Sequence, residues 1–400
     1  MPNRCQRRLF LKSPRAGVSV DAYTFYTGRE GLALTSIHGL STRSDTTDVL
    51  YRRHSPDNGA TWSEPEEITT NWSVPGGTFR RSLSPGFVDP ETGALFFLSN
   101  QGVLPSDNPL EGMKNWTLHY CVSLDGGHSM AVEAPVIQEG AEYDESHPLR
   151  GVWRGKNSVM LGDTTMAPIR TREGRILVPV QITPIGPDGE YYNPGGGYTY
   201  HYSAVLIGTW LSDHRISWDL SAPVEGDPDR STRGMLEPTI AEMPDGRILM
   251  ILRGSNDRRP DLPGFRWRSV SEDGGRHWSA PEPWRYSDGE PFFSPSSCSQ
   301  LVRHSGGQYF WIGNICRENP VGNRPRYPLV IGEVNPHTLT LERNSLRVVD
   351  DRSPADHVNL TLSNFYARED RVTGEIVIHC TRFFARGEWG GDAYEYRFRP

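Results

Sequence analysis

Two opposite charges, Glu237 and Arg253, stand sixteen residues apart at the ends of the stretch EPTIAEMPDGRILMILR. Between them, apolar runs flank Pro244, Asp245 and Gly246. These residues make a tight turn, because proline presets φ and glycine accepts a positive one. Residues 240–243 and 248–252 are therefore expected to pair as a hairpin. The turn centre is also the midpoint of 237 and 253, so the carboxylate and the guanidinium oppose each other at the open end. Such a pair is either a brace at a strand end or part of a polar site. In a site, the carboxylate does acid–base or electrostatic work and the arginine holds an anion.

The same strand–turn–strand unit recurs around Gly31, Gly93, Gly174, Gly307 and Gly374, at spacings of 61 to 81 residues. Six irregular units that fill the chain, with no sustained helical periodicity and no linker, predict an all-β fold. The expected architecture is a single six-bladed β-propeller over residues 1–400. In a propeller, matching repeat positions converge on the axis. Seven residues after each turn glycine stand His38, Asn100, Gln181, Arg253, Asn314 and Thr381, polar in every copy. Nine residues before stand Ala22, Ser84, Thr165, Glu237, Cys298 and, after a longer turn, Ser363 or Asn364. This ring predicts a polar central pocket. Asp163 and Arg81 lie close to the ring positions, and His38 is a candidate proton shuttle. Gln181, Gln300 and Asn364 are candidates to read sugar hydroxyls.

A second repeat follows the pattern S-x-D-x-G-x-x-W, at Ser55 to Trp62 and Ser271 to Trp278, with a weaker copy from Ser123 to Met130. Its logic is structural: Asp caps the N–H groups of a turn, Gly permits the bend, and Trp packs between sheets. This is the Asp-box, or BNR, motif. Together with the six units and the Glu237–Arg253 stretch, it resembles the sialidase superfamily of six-bladed propellers. The resemblance implies a glycosidase pocket in which arginines hold a sugar carboxylate, a tyrosine assisted by a glutamate acts as nucleophile, and a loop aspartate is the acid. Glu237 and Arg253 match the family's glutamate and second arginine. Arg326 matches the third arginine, with Arg324 as its rival, and Asp45 matches the loop aspartate. The first arginine is replaced near Asp21 and Ala22, and Leu362 stands where the tyrosine belongs. Ordinary retaining sialidase chemistry is thereby disfavoured, since an ionised Asp21 would repel a sugar carboxylate.

The bulk composition narrows the partners. A net charge of −7 and a pI near 6.0 argue against nucleic acid. No apolar run approaches the ~20 residues of a membrane span. The five cysteines are scattered without metal-ligand spacing, so neither metal nor cofactor is expected, and reduced thiols point to a cytoplasmic protein. QRRLFLKSP looks like a twin-arginine signal but lacks the apolar stretch one needs. The expected function is an exo-acting glycoside hydrolase on an acidic or hydroxyl-rich sugar. Asp45 would be the acid, with Glu237 or Asp163 as base or electrostatic partner. Arg253 and Arg326 would hold the glycone, and an inverting route is favoured. The alternatives are a lyase on a uronate glycan, with His38 or a tyrosine as base, and a carbohydrate-binding propeller without turnover. The oligomeric state is left open.

Overall fold

The protein was analysed as a computed structural model that describes residues 5–400; residues 1–4 of the expected 1–400 span lie outside it. The strands form six antiparallel sheets of four to six strands. Blade 4 is the plainest, with strands Leu236–Glu242, Ile248–Arg253, Arg266–Ser271 and Glu282–Pro283 in sequential order. Neighbouring sheets touch in sequence around a complete circle, through the inner strands Ser19–Tyr26, Phe87–Val88, Leu236–Glu242, Gln300–Arg303 and Phe365–Glu369 and the second strand of blade 3, Ile176–Ile182, with blades 2 and 3 meeting through Thr117–Ser123 and Val159–Met160. The expected six-bladed propeller is the observed architecture.

The packing explains why the inner hairpins read as continuous apolar runs. In Ile248–Arg253, Leu249 and Ile251 pack toward blade 5, while Ile248, Met250 and Leu252 pack toward blade 3. A strand buried on both faces needs no polar alternation. Among the described residues there are six hydrophobic clusters, one between each pair of adjacent blades. The six turn glycines all have positive φ, from 69° at Gly374 to 92° at Gly246.

The circle closes with the N-terminal segment. Gln6–Leu11 pairs with Ala393–Phe398 as the outermost strand of blade 6. Arg7 and Arg8, the twin arginines of the sequence, are ion-paired to Asp350 and Glu395. The S-x-D-x-G turns join the third and fourth strands of blades 1, 2 and 4. In each, Asp accepts from the serine hydroxyl and from the backbone N–H four residues on, while the glycine N–H donates to the serine. The Ser123 copy makes this network without its tryptophan. All three turns lie at the end of the blades remote from Glu237, because the third strand runs parallel to the first.

Candidate active site

The polar ring found in the sequence has a structural task. Asn100 exchanges hydrogen bonds with the backbone of Leu161 in blade 3, and Gln181 accepts from the N–H of Glu237 in blade 4. Arg253 donates to Ser296, Asn314 to Leu362, and Thr381 to Val20 of blade 1. Each of these second strands thus grips the entrance of the next blade. The polarity of the ring comes from this circumferential stapling of otherwise buried backbone groups, and only part of the ring faces a cavity.

That cavity is a cleft of about 600 Å³ at the axis. Thr164 of blade 3 donates to the carbonyl of Phe365 in blade 6, which crosses the axis. Asp21, Asp163 and Glu237 line the cleft, with Gln181, Arg233, His201, Arg326, Asn364 and Trp389. Glu237 occupies a β-bulge between Leu236 and Thr239, at φ 45°. The bulge re-aims its side chain toward the axis. One carboxylate oxygen takes the Arg253 guanidinium at 2.5 Å; the other, Oε2, is buried without a hydrogen-bond partner in the protein. The pair is 8 % and 7 % exposed, deep in the molecule rather than at its mouth. Arg253 is not a wall residue: it lies behind Glu237 and braces it.

Asp163 is delivered by a break in the inner strand of blade 3. Val159–Met160 and Ile169–Arg170 pair with the second strand, and the segment between them, with Gly162 and Pro168, leaves the sheet. A Cβ at position 162 would come within 2.6 Å of the Gln181 amide, so a side chain there would displace the amide that holds the Glu237 N–H. Burial, with the Glu237 charge in support, raises Asp163 to about 6. Burial likewise raises Asp21 to about 7, with the Asp163 charge adding to the rise.

Opposite these acids is a cluster of arginines. Arg233 donates to Thr199, and Arg326 donates twice to the carbonyl of Ser296. Among the described residues neither forms a salt bridge. Burial, with Arg253 as a like-charged neighbour, lowers both to about 10, which keeps them cationic at neutral pH. At the mouth, Asp45 is exposed and accepts from the Tyr198 hydroxyl at 3.3 Å. This contact joins a loop of blade 1 to a loop of blade 3.

Several sequence candidates sit elsewhere. His38 is not on the cleft wall; its neighbours Gly39 and Ser41 are, while its ring stacks on Tyr51 at 5.2 Å. Burial lowers it to about 4, with the Arg53 charge adding to the fall. Gln300 spends both ends of its amide on the backbone of Ala367, so it staples blade 5 to blade 6 and reads no ligand. Arg81 stands at the rim with its Nε on the carbonyl of Thr69. Arg324 is exposed and bound to Asn359, leaving Arg326 as the deep arginine. Leu362 is fully buried, Tyr23 donates its hydroxyl to Leu83, and burial pushes Tyr366 up to about 12.

Sequence reasoning missed Arg233, Tyr198 and His201. Arg233 lies four residues before Glu237, a signal within reach. The other two sit in an insertion of blade 3 that no repeat offset can place.

Comparison with known proteins agrees with this architecture. The sequence matches the BNR repeat-like domain family over residues 87–351. No curated protein sequence matches. Among solved structures, the chain is similar to the NanB sialidase of Streptococcus pneumoniae, with TM-score 0.60, 13 % identity, and coverage of 99 % of this chain and 71 % of that one. It is also similar to the Hadza microbial sialidase Hz136, with TM-score 0.55, 13 % identity, and coverage of 92 % of this chain and 63 % of that one. The chain thus spans less than two thirds of the length of that sialidase. A GH93 α-L-arabinofuranosidase of Fusarium graminearum, solved with arabinobiose, gives TM-score 0.54 at 13 % identity, covering 98 % of this chain and 97 % of that one. At such identities the likeness is one of fold. The family match over most of the chain and the ring of six blades lead to one conclusion: this chain belongs to the BNR repeat-like domain family.

Proposed function

We propose that the protein is an exo-acting glycoside hydrolase on an acidic sugar, with Asp163 as the general acid and Glu237 as the ionised partner. The observation that carries the reading is the buried Asp163–Glu237 pair facing Arg233 and Arg326, two guanidiniums without a carboxylate partner. A donor raised to about 6 beside a carboxylate braced by arginine is the division of labour that glycosidic cleavage requires. Arg233 and Arg326 would hold the carboxylate of the glycone. Asp163 would protonate the leaving oxygen. Glu237 would take a proton from the attacking water, the inverting route, since Leu362 leaves no tyrosine to form a covalent intermediate. The acid is assigned to Asp163 rather than Asp45 because Asp163 is desolvated and coupled to Glu237, whereas Asp45 stands in solvent at the mouth.

The test is a panel of aryl uronides, sialosides and arabinofuranosides. Turnover of an acidic glycoside, with inverted product by NMR, is expected. Asp163→Asn should lower kcat by at least ~10²-fold, the scale of general acid catalysis. Retained configuration would make Glu237 the nucleophile, and a silent panel would overturn the reading. One observation favours a second reading, elimination from a uronate polymer: His201 lies in the wall and is kept neutral by burial with Arg233 beside it. An unsaturated, ultraviolet-absorbing product would select that reading.

A further inference from the structure

Asp21 occupies the place where the sialidase resemblance implies an arginine, and it lines the same cleft as Asp163 and Glu237. Its hydrogen-bond partner settles where its proton is. The Thr381 hydroxyl lies 2.6 Å from the carbonyl of Val20 and 3.0 Å from Asp21 Oδ1. A carbonyl brings no proton, so the shorter contact uses the single proton of Thr381. The longer contact with Asp21 is then a full hydrogen bond when Asp21 supplies the proton, rather than a shared one from the same hydroxyl. The relay runs from Asp21 to Thr381 to the Val20 carbonyl, and Oδ2 is left as the second oxygen of a neutral acid.

We infer that Asp21 is held as a neutral carboxylic acid, which donates its proton in a hydrogen bond to the Thr381 oxygen, and presents an uncharged acceptor to a sugar hydroxyl. The acceptor role rests on the hydrolase reading above; the protonation state does not. An ionised aspartate would repel an acidic glycone, whereas a neutral one does not oppose the pull of Arg233 and Arg326. The groups that face Asp21 support this state. Asp163 of blade 3 is a second acid, Cys380 of blade 6 is a thiol pushed well up by burial, and Tyr23 on its own strand is a phenol whose proton is committed to Leu83.

The experiment needs no substrate. Wild type and Asp21→Asn, both with 13C-labelled aspartate, are compared by carboxyl NMR titration and by difference infrared spectroscopy. A single carboxyl titrating near 7 and an acid carbonyl band are expected in wild type and absent from the variant, against ~3.9 for an unperturbed aspartate. In Asp163→Asn the same midpoint should fall, because a negative neighbour is gone. A midpoint for Asp21 below about 5 overturns the inference, whatever the enzyme turns over. Kinetics give the second arm. Asp21→Asn should lose less kcat/KM than wild type between pH 6 and pH 8, whereas Asp21→Leu should lose about tenfold at both, the value of one hydrogen bond. Equal pH profiles for wild type and Asp21→Asn would also overturn it. A silent substrate panel with a midpoint near 7 would instead overturn the hydrolase reading alone.

Discussion

At the residue scale, the centre of the site is Glu237, a non-glycine residue at positive φ whose partner is as buried as itself. The surrounding structure maintains that strain: Gln181 takes its N–H and Arg253 takes its carboxylate. Arg253→Met should therefore lower the unfolding free energy by about 3–5 kcal/mol in denaturant titrations, because it strands a buried carboxylate. Asp163 behaves in the opposite sense. Its folded pKa of about 6 exceeds the reference 3.8, so the fold favours its protonated form. That contribution is fully present below about 4 and is lost as pH rises through 6. Asp163→Asn should match wild type near pH 4 and exceed it in melting temperature at pH 8. A gain at pH 8 together with a collapse of kcat is the signature of a site residue; a loss at every pH would make Asp163 structural.

At the element scale, the two ends of each blade divide the labour. The end near Glu237 carries the broken strand with Asp163 and the loops that meet through Tyr198 and Asp45. Loops carry function where a rigid scaffold positions them. Tyr198→Phe removes the contact across the mouth and should raise KM several-fold with kcat nearly unchanged, the pattern of lost uniform binding. The other end carries the S-x-D-x-G turns. Asp125 there binds Ser123 and Ser129, and these hydrogen bonds hold its carboxyl well below the usual range. Asp125→Ala should lower the melting temperature slightly, as for a lost cap, and leave kcat/KM unchanged.

At the scale of the whole molecule, closure decides stability. Gln6–Leu11 covers the last edge of blade 6, and its arginines clamp Asp350 and Glu395. Removing residues 1–11 would expose the edge of Ala393–Phe398 and unpair Asp350 and Glu395 on that side. The truncated chain should melt lower and aggregate with rising concentration, as seen by light scattering, because an open edge templates pairing between molecules.

The six-unit repeat, the all-β class and the Glu237–Arg253 pair were legible in the sequence, since each rests on short-range rules: turn residues, strand runs and the register of one hairpin. The value of the polar ring was legible only in part. Its polarity was plain, but hydrogen bonds from one blade to the next account for Asn100, Asn314 and Thr381, and such partners lie some fifty residues or more away in sequence. His38 and Gln300 failed for the same reason, because strand periodicity does not say which face of an inner hairpin meets the axis and which meets a neighbouring blade. Tyr198 and His201 came to the cleft through an insertion of blade 3 with no repeat counterpart. Protonation states belong wholly to the tertiary structure: Asp21 and Asp163 are raised through burial and neighbours, and desolvation is a property of the assembled axis that no local stretch encodes.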